Sequence, residues 1–314
     1  MTGPPRRCAS TGSGARPPTA PGLGVGAIDN TREEPSTGFG RRRIQLKSDA
    51  ELAAMSRAGV VTSLALDAAV AAAVPGATTA DLDTAFRAVL DEHGASSNFL
   101  GYHGYPATVC TSVNDEVVHG IPGERVLRDG DIVSIDGGAV VGGWHGDSAR
   151  TVLVGTTHDP ADQQLSDVTR AAMWRGIAAM ATGTHVGDIG LAVENHVRAA
   201  VGARLGILED YVGHGIGTEM HMAPDVPNFA IKHRGPRLTT GMALAIEPML
   251  VRGDIETRVL DDDWTVVTVD GSRASQWEHS VCLHSQGLWV LTAEDGGAAE
   301  LAPLGVHPVP IPGT

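Results

Sequence analysis

The sequence predicts an α+β fold built from two related halves, and two observations carry that reading. The predicted elements run helices, strands, helices, strands along 314 residues. A stretch also recurs: Leu127 to Asp136 and Leu238 to Glu247 both read L-x-x-G-x-x-x-x-I-[Asp/Glu]. In each copy the glycine suits a turn, the next residues suit a strand, and the strand ends on a carboxylate. Two copies facing each other would point two acids at one centre. With 42% apolar residues the chain can bury a large core.

Taken in order, residues 1–43 are rich in Pro, Gly, Ser and Thr and show no apolar period. Such a segment cannot bury enough surface to offset its ordering entropy, so a disordered extension is expected. Within it, Arg16-Pro17-Pro18-Thr19-Ala20-Pro21 has the P-x-x-P form that SH3-like grooves take, although composition alone favours a plain extension. Ser48-x-x-Glu51 opens a long helix that stops at Val74-Pro75-Gly76, and Thr78-x-x-Asp81 opens a second that ends at His93-Gly94. Strands are expected over 107–113, 131–140 and 144–154, then helices from Asp159 to about Thr182 and from Gly187 to about Val201. Strands follow again over 205–212, 242–251, 264–269, 276–284 and 288–291. Beyond residue 293 the pattern fades, so 44–292 reads as the folded domain and 293–314 as a C-terminal tail.

Composition excludes several classes. A formal net charge of -14 argues against a protein that grips a phosphate backbone. The longest apolar runs, near 64–74, fall short of the roughly 20 residues that span a bilayer. No basic segment followed by an apolar stretch opens the chain, so a cytoplasmic location without a membrane partner is expected. The cysteines Cys8, Cys110 and Cys282 form no Cys-x-x-Cys pair, and their odd number suggests reduced thiols. A metal, if bound, must be held by carboxylates and histidines.

Five residues fit that role: Asp136, Asp147, His214, Glu247 and Glu278. Each lies in or beside an apolar strand-like segment, where an isolated charge should oppose burial, and Lys or Arg is scarce nearby. Asp147 follows Asp136 by eleven positions across Gly137-Gly138-Ala139-Val140-Val141-Gly142-Gly143, a segment able to turn a hairpin and set both acids side by side. Any one of these acids alone would pass for a turn residue or an ion-pair partner. Together they describe a hard, oxygen-rich site for divalent cations. The remaining histidines His93, His158, His185, His196, His233 and His284 lack such a setting and read as surface or loop residues.

These residues, in this order, resemble the Asp-Asp-His-Glu-Glu ligand set of the type I methionine aminopeptidases. The segment from Thr111 to Pro122, Trp144-His145-Gly146-Asp147, Gly213-His214-Gly215-Ile216-Gly217, Ile246-Glu247-Pro248 and Trp277-Glu278-His279 resemble that family's motifs as well. The likeness covers about 44–292. It implies a pita-bread fold, with pseudo-two-fold duplicated halves and a curved antiparallel sheet covered by helices, so that 44–292 would be the catalytic domain. It also implies two divalent metal ions per chain (cobalt, manganese, iron or zinc). Asp136 would bind one ion, Asp147 and Glu278 would bridge both, and His214 and Glu247 would bind the other.

By the same resemblance a bridging hydroxide attacks, Glu247 shuttles a proton, His119 hydrogen-bonds the scissile amide and His221 steadies the oxyanion. Phe99, Tyr102, Tyr105, Cys110, Met220 and Trp264, with His119 and His221, would bind substrate. Their aromatic rings and sulfur suit a methionine side chain, although core packing would also explain them. The implied reaction is release of the initiator methionine from the N-termini of nascent polypeptides when the second residue is small, with the ribosome left open as a partner and no nucleic-acid substrate. Two positions depart from the pattern: Met220 stands where the family has phenylalanine, and Gly137-Gly138 where a β-branched residue is usual. Prolidase-like X-Pro peptidases and a catalytically silent binding module remain the alternatives. A type II enzyme would need a helical insertion between His214 and Glu247, which lie only 33 positions apart.

Overall fold

A computed structural model describes residues 43–314. The expected 1–43 extension, its P-x-x-P segment and Cys8 therefore lie, apart from Arg43, outside the described residues. In the first half, helices α1 (Asp49–Ala72) and α2 (Thr79–Glu92) precede β1 (Ser96–Ser97), β2 (Val109–Val113), β3 (Glu116–Val118), β4 (Ile132–Val141) and β5 (Trp144–Leu153). In the second, α3 (Pro160–Thr182) and α4 (Gly187–Val201) precede β6 (Gly206–Ile207), β7 (Gly213–Gly215), β8 (Met222–Val226), β9 (Ala243–Ile246) and β10 (Met249–Val251). Next come β11 (Thr257–Val259), β12 (Val266–Thr268), β13 (Ala274–Gln276), β14 (Glu278–His284), β15 (Gly287–Val290) and a short α5 (Ala298–Leu301).

The first two helices start where the sequence says they should. The Ser48 hydroxyl accepts from Glu51 N–H at 3.3 Å while Glu51 Oε2 accepts from Ser48 N–H at 2.8 Å, and Thr78 and Asp81 repeat the exchange on α2. Such reciprocal caps satisfy two orphan amides at each helix start and are worth about 1 kcal/mol. Asp159 caps α3, with Pro160 in its first turn.

The large sheet is antiparallel throughout and runs β1-β4-β5-β14-β9-β7-β8, with β2 on β4 and β15 on β14. Its middle is palindromic. Each repeated segment forms the inner flank (β4 or β9), and β5 meets β14 at the seam between halves. The repeat extends to backbone detail, since Gly130 and Gly241 turn into their strands at φ 93° and 92°. Each half has its own helices over its own strands. Leu66, Phe86, Val133 and Ile135 pack together under α1 and α2, and Met173, Ile177, Ile246 and Val281 pack under α3. At about 25 cal/mol per Å² of apolar surface removed from water, these two cores supply the main driving force for folding.

Several expectations need correction. The stretch 242–251 is two strands, because Pro248 has no N–H for the ladder: β9 stays in the large sheet while β10 joins β13 and β6 in another. The stretch 276–284 breaks beside it at Trp277, whose N–H reaches Pro248 O at 3.4 Å. Only Gly206–Ile207 of the expected 205–212 strand pairs. Residues 293–314 are folded onto the second half and not a loose tail. Leu301 and Ile311 are buried, Val309 N–H donates to Leu288 O at 3.0 Å, and His284 Nε2 bonds Val309 O at 2.8 Å. Isolated anchors separated by turns leave no period to read. His284 is accordingly a buried strand residue and not a surface one. The α1 helix does have the length and mean hydropathy of a membrane span (24 residues, 1.2), contrary to expectation, but it packs on the sheet through Leu52, Met55, Ala65 and Leu66.

The Gly137 departure has a packing cause. A Cβ there would lie 2.7 Å from the Phe86 ring, which fills the space of a branched side chain. We expect Gly137→Val to destabilise the protein by about 1–3 kcal/mol through overpacking, measurable as a lower denaturation midpoint. Added Phe86→Leu should restore part of that loss.

Candidate metal centre

The two strand breaks and the seam determine where the acids go. Asp136 lies on β4 and Asp147 on β5; Glu278 opens β14, and Glu247 follows β9 at the Pro248 break. His214 is the middle residue of β7, next to β9. Asp147, His214 and Glu278 bring one ligand atom each to within 4.8 Å of one another. Glu247 Oε1 lies 3.5 Å from His214 Nε2. His214 Nδ1 is 3.0 Å from Gly215 O. A carbonyl only accepts, so Nδ1 carries the hydrogen and the Nε2 lone pair faces the acids.

All of the expected site residues line one recess of about 110 Å³. The ligand-type residues Asp136, Asp147, His214, Glu247 and Glu278 meet His119 and His221 there, beside Phe99, Tyr102, Tyr105, Cys110, Met220 and Trp264. Phe99, Tyr105, Cys110 and Met220 form a small buried cluster with Tyr102 and Trp264 packed against it. Trp264 stands edge-on to Tyr105 at 5.0 Å and to His119 at 6.2 Å. His221 sits 4.3 Å from the His214 ring and bonds the Tyr102 hydroxyl at 2.8 Å through Nδ1. Sequence reasoning missed Gln276, whose Nε2 donates to Asp136 Oδ2 at 3.2 Å, and also Tyr211 and Met249. An uncharged amide and two ordinary core types carry no flag in a sequence.

The residues present fit divalent cations. Asp136 Oδ1, Asp147 Oδ1 and Glu278 Oε1 are buried without a hydrogen-bond partner. Among the described residues, no Lys or Arg pairs with any of the four carboxylates. Burial raises the Asp136 carboxyl to about 7 against the hydrogen bonds from Gln276 and Glu278. Burial, followed by mutual repulsion, pushes Asp147, Glu247 and Glu278 well above the usual range. Four acids so placed either share protons or take cations.

The consequence for the metal-free protein has a definite sign. These acids hold more protons folded than unfolded, so the stability that Asp136 contributes is fully present below its unfolded value of 3.8 and is lost as pH rises towards about 7. Thermal unfolding of chelator-treated protein should show a lower midpoint at pH 8 than at pH 5, and added Mn²⁺ should raise the pH 8 value. Identical midpoints at both pH values would mean that the acids do not share one buried site.

His119 occupies a left-handed backbone position (φ 61°), costly for a residue with a side chain by about 1–3 kcal/mol. Neighbouring bonds hold it there: Gly120 N–H donates to Ser112 Oγ at 3.1 Å, and Thr111 N–H to Gly120 O at 2.8 Å. Burial lowers its pKa to about 4, so the ring is neutral at physiological pH and one nitrogen keeps a donor hydrogen. Burial likewise lowers His221 to about 2, helped by His214 and His119.

A duplicated α+β sheet that gathers four acids and a histidine at its seam, with no lysine or arginine among the described residues to neutralise them, defines a metal-dependent hydrolase. Sequence comparison specifies which one: the chain belongs to metallopeptidase family M24, whose profile matches residues 53–285. A relative named methionine aminopeptidase 1, from Mycobacterium tuberculosis, is 51% identical over 257 residues, covering 81% of this chain and 96% of the relative. Methionine aminopeptidase from Thermotoga maritima superposes with a TM-score of 0.76 at 39% identity, over 80% of this chain and all of that one. Prolidase from Pyrococcus furiosus shares the fold at 19% identity and a TM-score of 0.63, over 79% of this chain and 65% of its own. The expected pita-bread architecture and family resemblance are thus borne out.

Proposed function

We propose that this enzyme is a methionyl aminopeptidase that releases the initiator methionine from nascent cytoplasmic proteins when the second residue is small. One observation carries the reading: the ligand set and an aromatic, sulfur-containing cluster share a single recess. Identity of 39–51% to methionine aminopeptidases, against 19% to a prolidase, supports it over X-Pro cleavage.

Asp136, Asp147, His214, Glu247 and Glu278 would hold two divalent ions (cobalt, manganese, iron or zinc), which supply Lewis acidity and an acidified water. The chain's own residues do the rest. Phe99, Tyr105, Cys110 and Met220 take the thioether side chain and exclude water, and Tyr102 and Trp264 close the flank. Glu247, raised by burial, carries a proton to the leaving amine. The neutral His119 donates to the scissile amide. A donating Tyr102 hydroxyl leaves the His221 hydrogen on Nε2, the tautomer that an oxyanion requires.

The test compares Met-Ala-Ser with an Ala-Pro peptide, with and without chelator. Methionine should be released from the first, only with metal, and the second should stay intact. Cleavage of Ala-Pro would favour an X-Pro peptidase, and absence of metal-dependent release would favour a silent binding module.

A further inference from the structure

A second recess lies on the helix-covered face of the large sheet, directly behind the metal centre, with a volume of about 530 Å³. That falls within the range of roughly 300–1,000 Å³ found for small-molecule sites. Strand alternation puts it there: Asp147 and Glu278 line the first recess, Arg150 of β5 and His279 of β14 the second. It opens where α1 and α3, the leading helices of the two halves, flank the seam.

Several hydrogen-bond donors are among its lining residues. Trp174 is only 5% exposed, and its Nε1–H has no partner. A buried donor of this kind calls for an acceptor from elsewhere. The Trp174 ring lies 4.9 Å from His279. Nδ1 of His279 is 2.8 Å from Thr292 Oγ1, which already accepts from Ser280 N–H at 3.1 Å. The Thr292 hydroxyl has no other acceptor among the described residues, so it donates to Nδ1 and leaves the imidazole hydrogen on Nε2. Arg150 and Arg170 add guanidinium groups, and Arg170 lies over the Trp277 ring at 5.5 Å, giving the cleft a flat wall. The acids of the cleft, Asp67, Asp167 and Glu294, are exposed residues at its rim; Asp67 is tied to Arg150, and Glu300 to Arg170 at 2.7 Å, so each guanidinium has only its remaining N–H groups to offer a ligand.

We propose that this cleft is a second ligand site, which takes a small oxyanion (carboxylate or phosphate) borne on a flat ring. The oxyanion meets the Trp174, His279 and arginine donors, and the ring lies against Trp277. Charge-assisted hydrogen bonds give the site its preference for anions over neutral ligands of the same shape.

Calorimetric titration of the metal-loaded enzyme, with methionine saturating the first recess, tests this with benzoate, phenyl phosphate and neutral benzyl alcohol. At least one anion should bind saturably at one per chain, and the stronger of the two identifies the oxyanion, while benzyl alcohol should not bind. Arg170→Gln, at a half-buried position, and Trp174→Phe, which keeps a ring but loses the N–H, should each weaken binding by at least about tenfold. Methionine release by Arg170→Gln should be unchanged. Failure of both anions to bind, equal binding of benzyl alcohol, or undiminished affinity in both variants would overturn the proposal.

Discussion

Replacing Asp147 by Asn is expected to remove at least one metal ion per chain and with it most of the activity. Asp147 is buried on β5, shares a 4.8 Å cluster with His214 and Glu278, and has an oxygen without a protein partner. An amide in its place keeps the shape, loses the negative charge and adds two hydrogens that face the neighbouring acids. Loss of an outer-sphere partner typically weakens metal sites by 10–100-fold, so loss of a ligand should exceed about 100-fold. Metal analysis after dialysis checks the prediction, and a variant that retained its full complement would remove Asp147 from the site. The folded state should survive the substitution, since the metal-free protein is relieved of one of four crowded carboxylates.

His119→Ala should lower kcat by about 10²–10⁴-fold while metal content stays at the wild-type level. The side chain faces the recess, makes no hydrogen bond among the described residues, and is held neutral by burial. Its backbone sits at a strained angle that neighbouring bonds enforce. A residue kept there at a cost to stability, with its ring nitrogens free of hydrogen-bond partners among the described residues, is placed for substrate. Alanine keeps a Cβ at the same positive φ, so the strain stays, whereas His119→Gly should relieve it and lose the activity equally. Parallel loss of metal and activity would instead make His119 part of the ion-binding shell.

Much of this site was legible because its chemistry conflicts with its surroundings. Asp136 after Ile132-Val133-Ser134-Ile135, and Glu247 after Ala243-Leu244-Ala245-Ile246, are charges that follow apolar strand residues, and the conflict is visible without coordinates, although β4 runs on past Asp136 to Val141. The repeat that pairs them was legible too, down to Gly130 and Gly241. Helix starts were readable because Ser48 and Thr78 cap locally. The rest depended on distant partners. The β7 strand is Gly213-His214-Gly215, whose glycines carry no strand signal; pairing with β8 and β9 makes it a strand. Gln276 matters only because β13 brings it to Asp136. The packing of 293–314 rests on single residues such as Leu301 and Ile311, spaced without period.

The palindromic order of the sheet has a mechanical consequence. Between β4 and β5 the ladder runs from Ile132 opposite Leu153 to Val141 opposite Trp144, whereas β14 meets β5 only through Glu278 opposite Ala149 and His279 opposite Ser148. This short ladder, which joins the halves within the large sheet while β3 pairs with β12 in another, thus coincides with the place where ligand-type residues from both halves converge. Cations held there would act as rivets between the halves, so the element proposed to perform the chemistry would also fasten the scaffold. Neither lobe, expressed by itself, would own a complete centre.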